Sequence, residues 1–60
     1  MERYRVRLVW DSGKDQQVEE YVIPALYEDE AREWGQKQAE ALGVGDDLIV
    51  DVRKEMPVAV

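Results

Sequence analysis

Charged and apolar residues alternate strictly along the stretch RYRVRLVW, at residues 3–10. A period of two is typical of a half-buried strand, because successive side chains of a strand point to opposite faces of the sheet. Two further stretches are rich in branched and aromatic residues, QVEEYVI at 17–23 and DLIVDVRKE at 47–55, and such a composition favours strands. The pattern therefore predicts three strands, at residues 3–10, 17–23 and 47–55.

The segment DSGKDQ, residues 11–16, separates the first two predicted strands. Aspartate, serine and glycine favour turns, since glycine adopts positive φ and aspartate bonds to its own backbone. Two strands that are joined by a short loop containing glycine form a hairpin. Pro24 closes the second strand, because proline has no N–H group to donate to a ladder.

Residues 28–42 carry a helical pattern. The residues that share one face of this helix are Ala31, Trp34, Gly35, Gln38 and Leu42. Acids fill the first turn, where the positive end of the helix dipole favours them, and Gly43 is placed to end the helix in the left-handed conformation. A glycine inside a helix costs about 1 kcal/mol relative to alanine. We therefore expect Gly35 to let the helix approach a bulky residue of the sheet.

The elements follow the order β-β-α-β, and we expect one α+β domain that spans residues 1–60. The helix connects the second strand to the third, and crossovers between parallel strands are right-handed in nearly all proteins. The third strand then lies beside the first, which gives a three-stranded sheet in the order 2-1-3 with the helix packed on one face. The opposite face is open to water or to a partner. The tail MPVAV, residues 56–60, is expected to be loosely held.

Alternation along the strands assigns each strand residue to one of the two faces. On the helix side we expect a core of apolar and aromatic sheet residues: Tyr4, Val6, Leu8, Trp10, Tyr21, Ile23, Leu48, Val50 and Val52. The helix residues expected to cap this core are Ala31, Trp34 and Leu42. On the open side we expect charged and aliphatic residues: Arg3, Arg5, Arg7, Val9, Val18, Glu20, Val22, Ile49, Asp51, Arg53 and Glu55.

The chain has 60 residues and a net charge of −6, and it contains neither cysteine nor histidine. Disulfides and the usual structural zinc sites are therefore excluded. The apolar runs fall far short of the roughly 20 residues that span a bilayer, and the N-terminus shows no signal-peptide pattern. We expect a cytoplasmic protein without a membrane span, a metal or a cofactor.

The residue types present disfavour catalysis. Histidine, cysteine and threonine are missing, and Ser12 lies in the predicted turn without a recognisable base. Paired carboxylates perform acid–base chemistry in desolvated clefts, and one helix on three strands leaves hardly any room for a cleft. The acids of GVGDD (43–47) and Asp51 lack the spacing of a calcium loop. We therefore predict that the protein is not an enzyme.

Three of the eight basic residues lie on one face of the first strand, at Arg3, Arg5 and Arg7. One interpretation is a charge ladder with acids on both neighbouring strands, since opposite charges across strands contribute about 0.2–1 kcal/mol per pair. The other interpretation is nucleic-acid recognition. Sheets that bind single-stranded RNA present aromatic rings for base stacking, and here we expect the aromatic residues on the helix side or at the edge. We favour the ladder and keep nucleic-acid binding as the alternative.

These features predict a small, acidic, non-catalytic protein-binding or regulatory module. In size and predicted shape it resembles accessory proteins of bacteria and phages, an analogy that implies no specific role. The predicted interface comprises Arg3, Arg5, Arg7, Val9, Val22, Ile49, Asp51 and Arg53. The expected partner is a protein, and a second copy is one candidate, because association stabilises small domains without disulfides. The acidic helix, with i,i+4 pairs Glu28–Arg32 and Glu33–Lys37, leaves open a mimic of nucleic acid.

Overall fold

The structure, a computed structural model, describes residues 1–44 and 47–55. Its elements are strand β1 at Glu2–Ser12, strand β2 at Asp15–Ala25, helix α1 at Glu28–Leu42 and strand β3 at Ile49–Lys54. β1 lies in the middle of the sheet and pairs antiparallel with both neighbours, in the order β2-β1-β3. The predicted α+β fold, the strand order and the helix on one face are confirmed. The predicted tail, residues 56–60, lies outside the described residues.

The hairpin is tighter than the sequence pattern indicates. β1 and β2 stay paired up to Ser12 and Asp15, so the loop predicted at 11–16 shrinks to Gly13 and Lys14. Gly13 has a φ of 65°, and glycine at the first of two loop residues is typical of the type II′ turn, whose twist matches that of the paired strands. Both strands are therefore longer than predicted.

β3 is shorter than its prediction of 47–55. Asp47 has a φ of 51°, a left-handed conformation that an extended strand does not contain, and the strand begins at Ile49. Glu55 follows the last strand residue, but its N–H group still donates to the carbonyl oxygen of Arg3 at 2.8 Å. This hydrogen bond keeps Glu55 beside β1.

The helix spans the residues predicted for it. It begins after Tyr27, whose side chain makes no capping hydrogen bond, and it ends at Gly43 with a φ of 77°. The N–H groups of Gly43 and Val44 donate to the carbonyl oxygens of Glu40 and Ala39, both at 3.0 Å. This is the pattern of a Schellman cap. Val44, the apolar residue beyond the cap, packs against the core.

The two ion pairs predicted along the helix have different outcomes. Lys37 Nζ lies 3.3 Å from Glu33 Oε1, so this pair is confirmed. Arg32 instead donates from Nη1 to the carbonyl oxygen of Val50 at 2.9 Å, and its predicted pair with Glu28 is not among the ion pairs of the described residues. β3 is an edge strand, which leaves its backbone within reach of an arginine from the helix.

The core between helix and sheet is small. Seven of its described residues are hydrophobic and buried, three of them alanines: Tyr4, Val6, Leu8, Ala25, Ala31, Ala39 and Val52. The other predicted core residues of the sheet, and one of the helix, are partly buried against it: Trp10, Tyr21, Ile23, Trp34, Leu48 and Val50. Trp34 packs edge-on against Tyr21 with ring centroids 5.1 Å apart, a geometry that aromatic pairs prefer.

Gly35 brings the helix close to the sheet. A β-carbon at this position would lie 2.8 Å from Val6 Cγ1 and 3.1 Å from Val50 Cγ1. The helix thus approaches the sheet closely at Gly35, as expected, and the side chains that it approaches are valines. The prediction that Leu42 caps the core is wrong, since this residue is 48% exposed. The last helical turn borders a cleft beside the hairpin, and Ala39 is the buried residue nearest this end of the helix.

The hairpin projects beyond the rest of the molecule. Among residues 1–44 and 47–55, β3 pairs with β1 between Tyr4 and Val9, so from Trp10 onward the described sheet has two strands. The extents are 42 × 22 × 13 Å and the radius of gyration is 12.5 Å, against about 10 Å for a compact chain of this length. The molecule is flat and elongated, and among its described elements none covers the sheet face opposite α1.

Candidate interaction surface on the open sheet face

The sheet face opposite α1 is called the open face. In the three-stranded part of the sheet, strand alternation and register place on it these charged and aliphatic residues: Arg3, Arg5, Arg7, Val9, Val18, Glu20, Val22, Ile49, Asp51, Arg53 and Glu55. All eight residues of the predicted interface lie in this set, and their role as an interface stays a prediction. Their sequence neighbours Val6 and Leu8 are fully buried on the helix side, so the two faces are sharply divided in the middle of the sheet.

An apolar row crosses the open face near the start of the projecting hairpin. Val9 of β1 lies directly opposite Val18 of β2 on one side and Ile49 of β3 on the other. Val18 is 43% exposed and Ile49 is 60% exposed, while Val9 between them is partly covered. Directly opposite residues have Cβ atoms about 4.5–5.5 Å apart. The three side chains therefore form one contiguous apolar strip across the sheet.

Charged residues fill the neighbouring row. Arg7 lies directly between Glu20 of β2 and Asp51 of β3. Its Nε is 3.9 Å from Glu20 Oε1, and Asp51 Oδ2 is 3.6 Å from Arg53 Nε. These side chains are about half exposed or more. The ion pairs are thus screened by solvent, and each contributes little to stability.

Arg5 makes the best-defined ion pair of the open face. Its Nε and Nη2 donate to the two carboxylate oxygens of Glu55, each at 3.1 Å, which is a bidentate geometry. Arg5 Nη1 also lies 3.8 Å from Glu20 Oε2. The hydrogen bond from Arg5 holds the pKa of Glu55 below its ordinary value, and the same bond raises the pKa of Arg5. The guanidinium is therefore held between carboxylates on both sides of β1.

The register explains why the two arginines pair differently. Arg7 faces acids directly, whereas Arg5 lies directly between Val22 and Arg53. Arg5 consequently reaches its carboxylates on the diagonal, from one row to the next. The predicted pairing with acids on both neighbouring sides is confirmed for Arg5, and Arg7 pairs with Glu20 on the β2 side.

Charge is divided unevenly between the open face and the rest of the chain. The three-stranded part of the face carries four arginines and three carboxylates, a net charge of +1, and Asp11 continues the same face into the hairpin. The remaining sequence holds the other four basic residues and the other eleven acids, a net charge of −7. The two parts add to the −6 of the whole chain. The open face is thus a nearly neutral surface on a strongly acidic protein.

The relief of the open face is shallow. A depression of about 120 Å³ is lined by Arg5, Arg7, Glu20, Asp51 and Arg53. Small-molecule sites are clefts of about 300–1,000 Å³ with a predominantly apolar lining. The depression is therefore too small and too charged for a typical small-molecule ligand, whereas a protein surface can cover a flat face.

A larger cleft lies on the helix side, between the hairpin and the end of α1. It measures about 440 Å³, and its lining includes apolar Trp10, Leu42 and Val44 together with acidic Asp11 and Glu19. No sequence pattern indicates this cleft, because its existence depends on how far the hairpin projects past the last helical turn. Its acids come from the two strands of the hairpin, and the described lining contains no basic residue.

Comparison of the chain with known protein families, with curated proteins and with solved structures finds no match. Function is therefore inferred from the residues and the geometry described above.

The open face lacks the groups that other kinds of site require. None of its residues is aromatic: Tyr4 is buried on the helix side, and Trp10, Tyr21 and Trp34 pack against the core. In the part of the chain that the structure describes, no three potential ligands gather in a way that would hold a metal ion. The helix α1 is also too short and too polar to cross a membrane.

Proposed function

We propose that the protein is a small, non-catalytic protein-binding or regulatory module that binds another polypeptide chain through the open face. The observation that supports this proposal most is the apolar row Val18–Val9–Ile49, which lies beside arginines that are already paired with carboxylates. Protein interfaces are enriched in arginine and combine apolar contact with a polar rim. The proposal includes a cytoplasmic site of action, where a protein without disulfides is typical.

Prior ordering of the arginines favours protein recognition. Binding costs about 0.5–1.5 kcal/mol for each long, flexible side chain that it immobilises. Arg5 is already fixed by two hydrogen bonds to Glu55, and Arg7 lies beside Glu20. A partner that offers an apolar strip and one or two polar groups therefore meets these side chains with little rearrangement.

Nucleic-acid binding is the second candidate, because four arginines share the open face. Carboxylates within 4 Å of Arg5, Arg7 and Arg53 weaken the attraction of these arginines for phosphate. The face also lacks an aromatic ring on which a base could stack. The net charge of −7 on the rest of the chain repels a polyanion. An acidic mimic of nucleic acid would use the helix instead of the open face.

A titration against single-stranded and duplex oligonucleotides at low salt separates these candidates. We expect no saturable binding at micromolar concentrations. Binding that weakens steeply with salt and is lost in Arg7→Gln would contradict the proposal, because release of counterions from phosphate is the signature of nucleic-acid recognition.

Site-specific photo-crosslinking tests the proposed surface directly. A photoreactive residue replaces Ile49 on the open face or, as a matched control, Leu42 on the helix side, since both are exposed aliphatic positions. In extract of cells that make the chain, we expect a crosslinked polypeptide from position 49 and not from position 42. This polypeptide is either a second copy or a different protein. Equal yields from both positions, or none from position 49, would refute the assignment of the open face.

A further inference from the structure

We infer that the polypeptide covering the open face is a second copy of this protein. The inference rests on the proposed function and names its partner. A surface that joins two identical copies has to meet three conditions: the copies must not repel each other there, the area must suffice, and apolar groups must meet across a two-fold axis.

Electrostatics favours the open face for contact between two copies. Contact through this face brings together two nearly neutral surfaces, whereas contact elsewhere brings together parts of the chain that carry most of its excess of acids. Bringing like charges together across an interface strongly weakens binding. The face also carries both signs side by side, so that neither copy presents a patch of a single sign to the other.

The free edges of the sheet are less suitable for contact between copies. Within the described sheet β2 pairs with β1 alone, and β2 contains the acids Asp15, Glu19 and Glu20 but no basic residue. Two β2 strands side by side would bring together two acidic edges without a basic residue between them, and like charges close together across strands are destabilising. β3 is only six residues long, and Arg32 of the helix already binds the carbonyl oxygen of Val50 at this strand.

The outline of the molecule sets an upper limit on the area of the open face. The two long extents, 42 and 22 Å, enclose a rectangle of about 920 Å², and a standard interface buries about 800 Å² on each partner, so a contact between two copies would have to use most of this face. Two sheets that pack face to face lie about 10 Å apart with their strands within about 30° of each other. Two copies would thus form a four-layer assembly, with a helix on each outer side.

The apolar row provides the groups to be buried. Val9, Val18 and Ile49 lie in one row, and in a two-fold contact centred near Val9 this row packs against its counterpart. The core of one copy is small, because three of its seven buried hydrophobic residues are alanines. Domains of this size leave a large share of their surface exposed, and oligomerisation is a common source of additional stability.

Sedimentation equilibrium of the full chain, from low to high micromolar concentration, tests the inference. We expect the average mass to rise from 7.0 kDa toward twice that value. Ile49→Glu puts a carboxylate into the apolar row, where burial without a partner is costly, and should raise the dissociation constant of the dimer about tenfold or more. Leu42→Glu, the matched control on the helix side, should leave that constant unchanged.

Val22→Glu serves as a second open-face variant if circular dichroism shows that Ile49→Glu alters the fold. A mass of 7.0 kDa at every concentration would overturn the inference, and so would a dimer that Leu42→Glu weakens as much as the open-face variants do. If the protein is a monomer and position 49 still crosslinks a different protein, the inference of a second copy is refuted, but the proposed function is not. A monomer that crosslinks nothing from that position overturns both.

Discussion

At the scale of single residues, Gly35 sets the distance between helix and sheet. Alanine has the better helix propensity by about 1 kcal/mol, and by that measure alone Gly35→Ala would stabilise α1. A β-carbon there would instead lie 2.8 Å from Val6 Cγ1, and overpacking a well-filled core costs about 1–3 kcal/mol. The overlapping atom belongs to a stiff, branched side chain that cannot turn away easily. The steric cost therefore exceeds the gain in propensity.

We predict that Gly35→Ala lowers the free energy of unfolding by about 1 kcal/mol. In a Val6→Ala background the same substitution should cost less, because the overlapping methyl group is gone. Urea denaturation of the four proteins of this double-mutant cycle provides the measurement. Strictly additive effects would show that the two positions do not interact as described.

The Arg5–Glu55 pair makes stability depend on pH. The pKa of Glu55 lies below its ordinary value of 4.5, because Arg5 donates a hydrogen bond to the carboxylate. A carboxyl group whose pKa is lowered in the folded state stabilises the fold at pH values above its unfolded-state pKa. This contribution disappears as the pH falls through the lowered pKa.

We predict that Glu55→Gln is less stable than the wild type at neutral pH, and that the difference vanishes when Glu55 becomes protonated in acid. Thermal unfolding of both proteins, from neutral pH down to the acidic pH at which Glu55 is protonated, tests both parts of this prediction. In Arg5→Gln, the pKa of the Glu55 carboxyl should rise toward its ordinary value, which a ¹³C NMR titration measures. A titration of Glu55 that is unchanged by the loss of Arg5 would contradict the hydrogen bond as its cause.

At the scale of elements, Arg32 links α1 to β3. Its hydrogen bond to the carbonyl oxygen of Val50 is partly buried, and a typical bond of this kind contributes about 1 kcal/mol. We predict that Arg32→Gln lowers the free energy of unfolding by about this amount and speeds amide hydrogen exchange in β3. Lys37→Gln removes only the exposed pair with Glu33 and should change stability by about 0.5 kcal/mol or less. Equal effects of the two substitutions would contradict this role of Arg32.

The sequence predicts best those elements whose pattern of apolar and polar residues reflects burial. β1 alternates in sequence because one of its faces lies on the core, and α1 ends where Gly43 adopts positive φ. The ends of the hairpin escaped prediction, since every residue from 11 to 20 is exposed and no burial imposes a period there. The exposure of Leu42 likewise depends on how the helix sits relative to the hairpin.

The open face, like the fold, could be predicted from the sequence only in part. Alternation assigns the arginines to the open face, and the two-residue turn fixes the register that puts Arg7 opposite Glu20. No local turn fixes the register between β1 and β3, because a helix connects β2 to β3. The bidentate pair of Arg5 with Glu55 and the apolar row that includes Ile49 therefore emerge only from the structure.

At the scale of the whole molecule, shape and charge single out the same surface. The molecule is only 13 Å thick, and a helix covers one side of its sheet. The other side is nearly neutral, whereas the remaining sequence carries a net charge of −7. Net charge of this size disfavours contact between copies elsewhere on the surface. We therefore expect two copies to associate with their open faces together.

A dilution series of ¹H–¹⁵N correlation spectra of the wild-type chain tests this claim most directly, because each backbone amide reports on its own surroundings. We predict shifts that depend on protein concentration at Val9, Val18 and Ile49, together with little change along α1. Spectra that stay the same from millimolar to low micromolar concentration would contradict a second copy on the open face. Shifts centred on α1, or on the cleft beside Leu42, would contradict it as well.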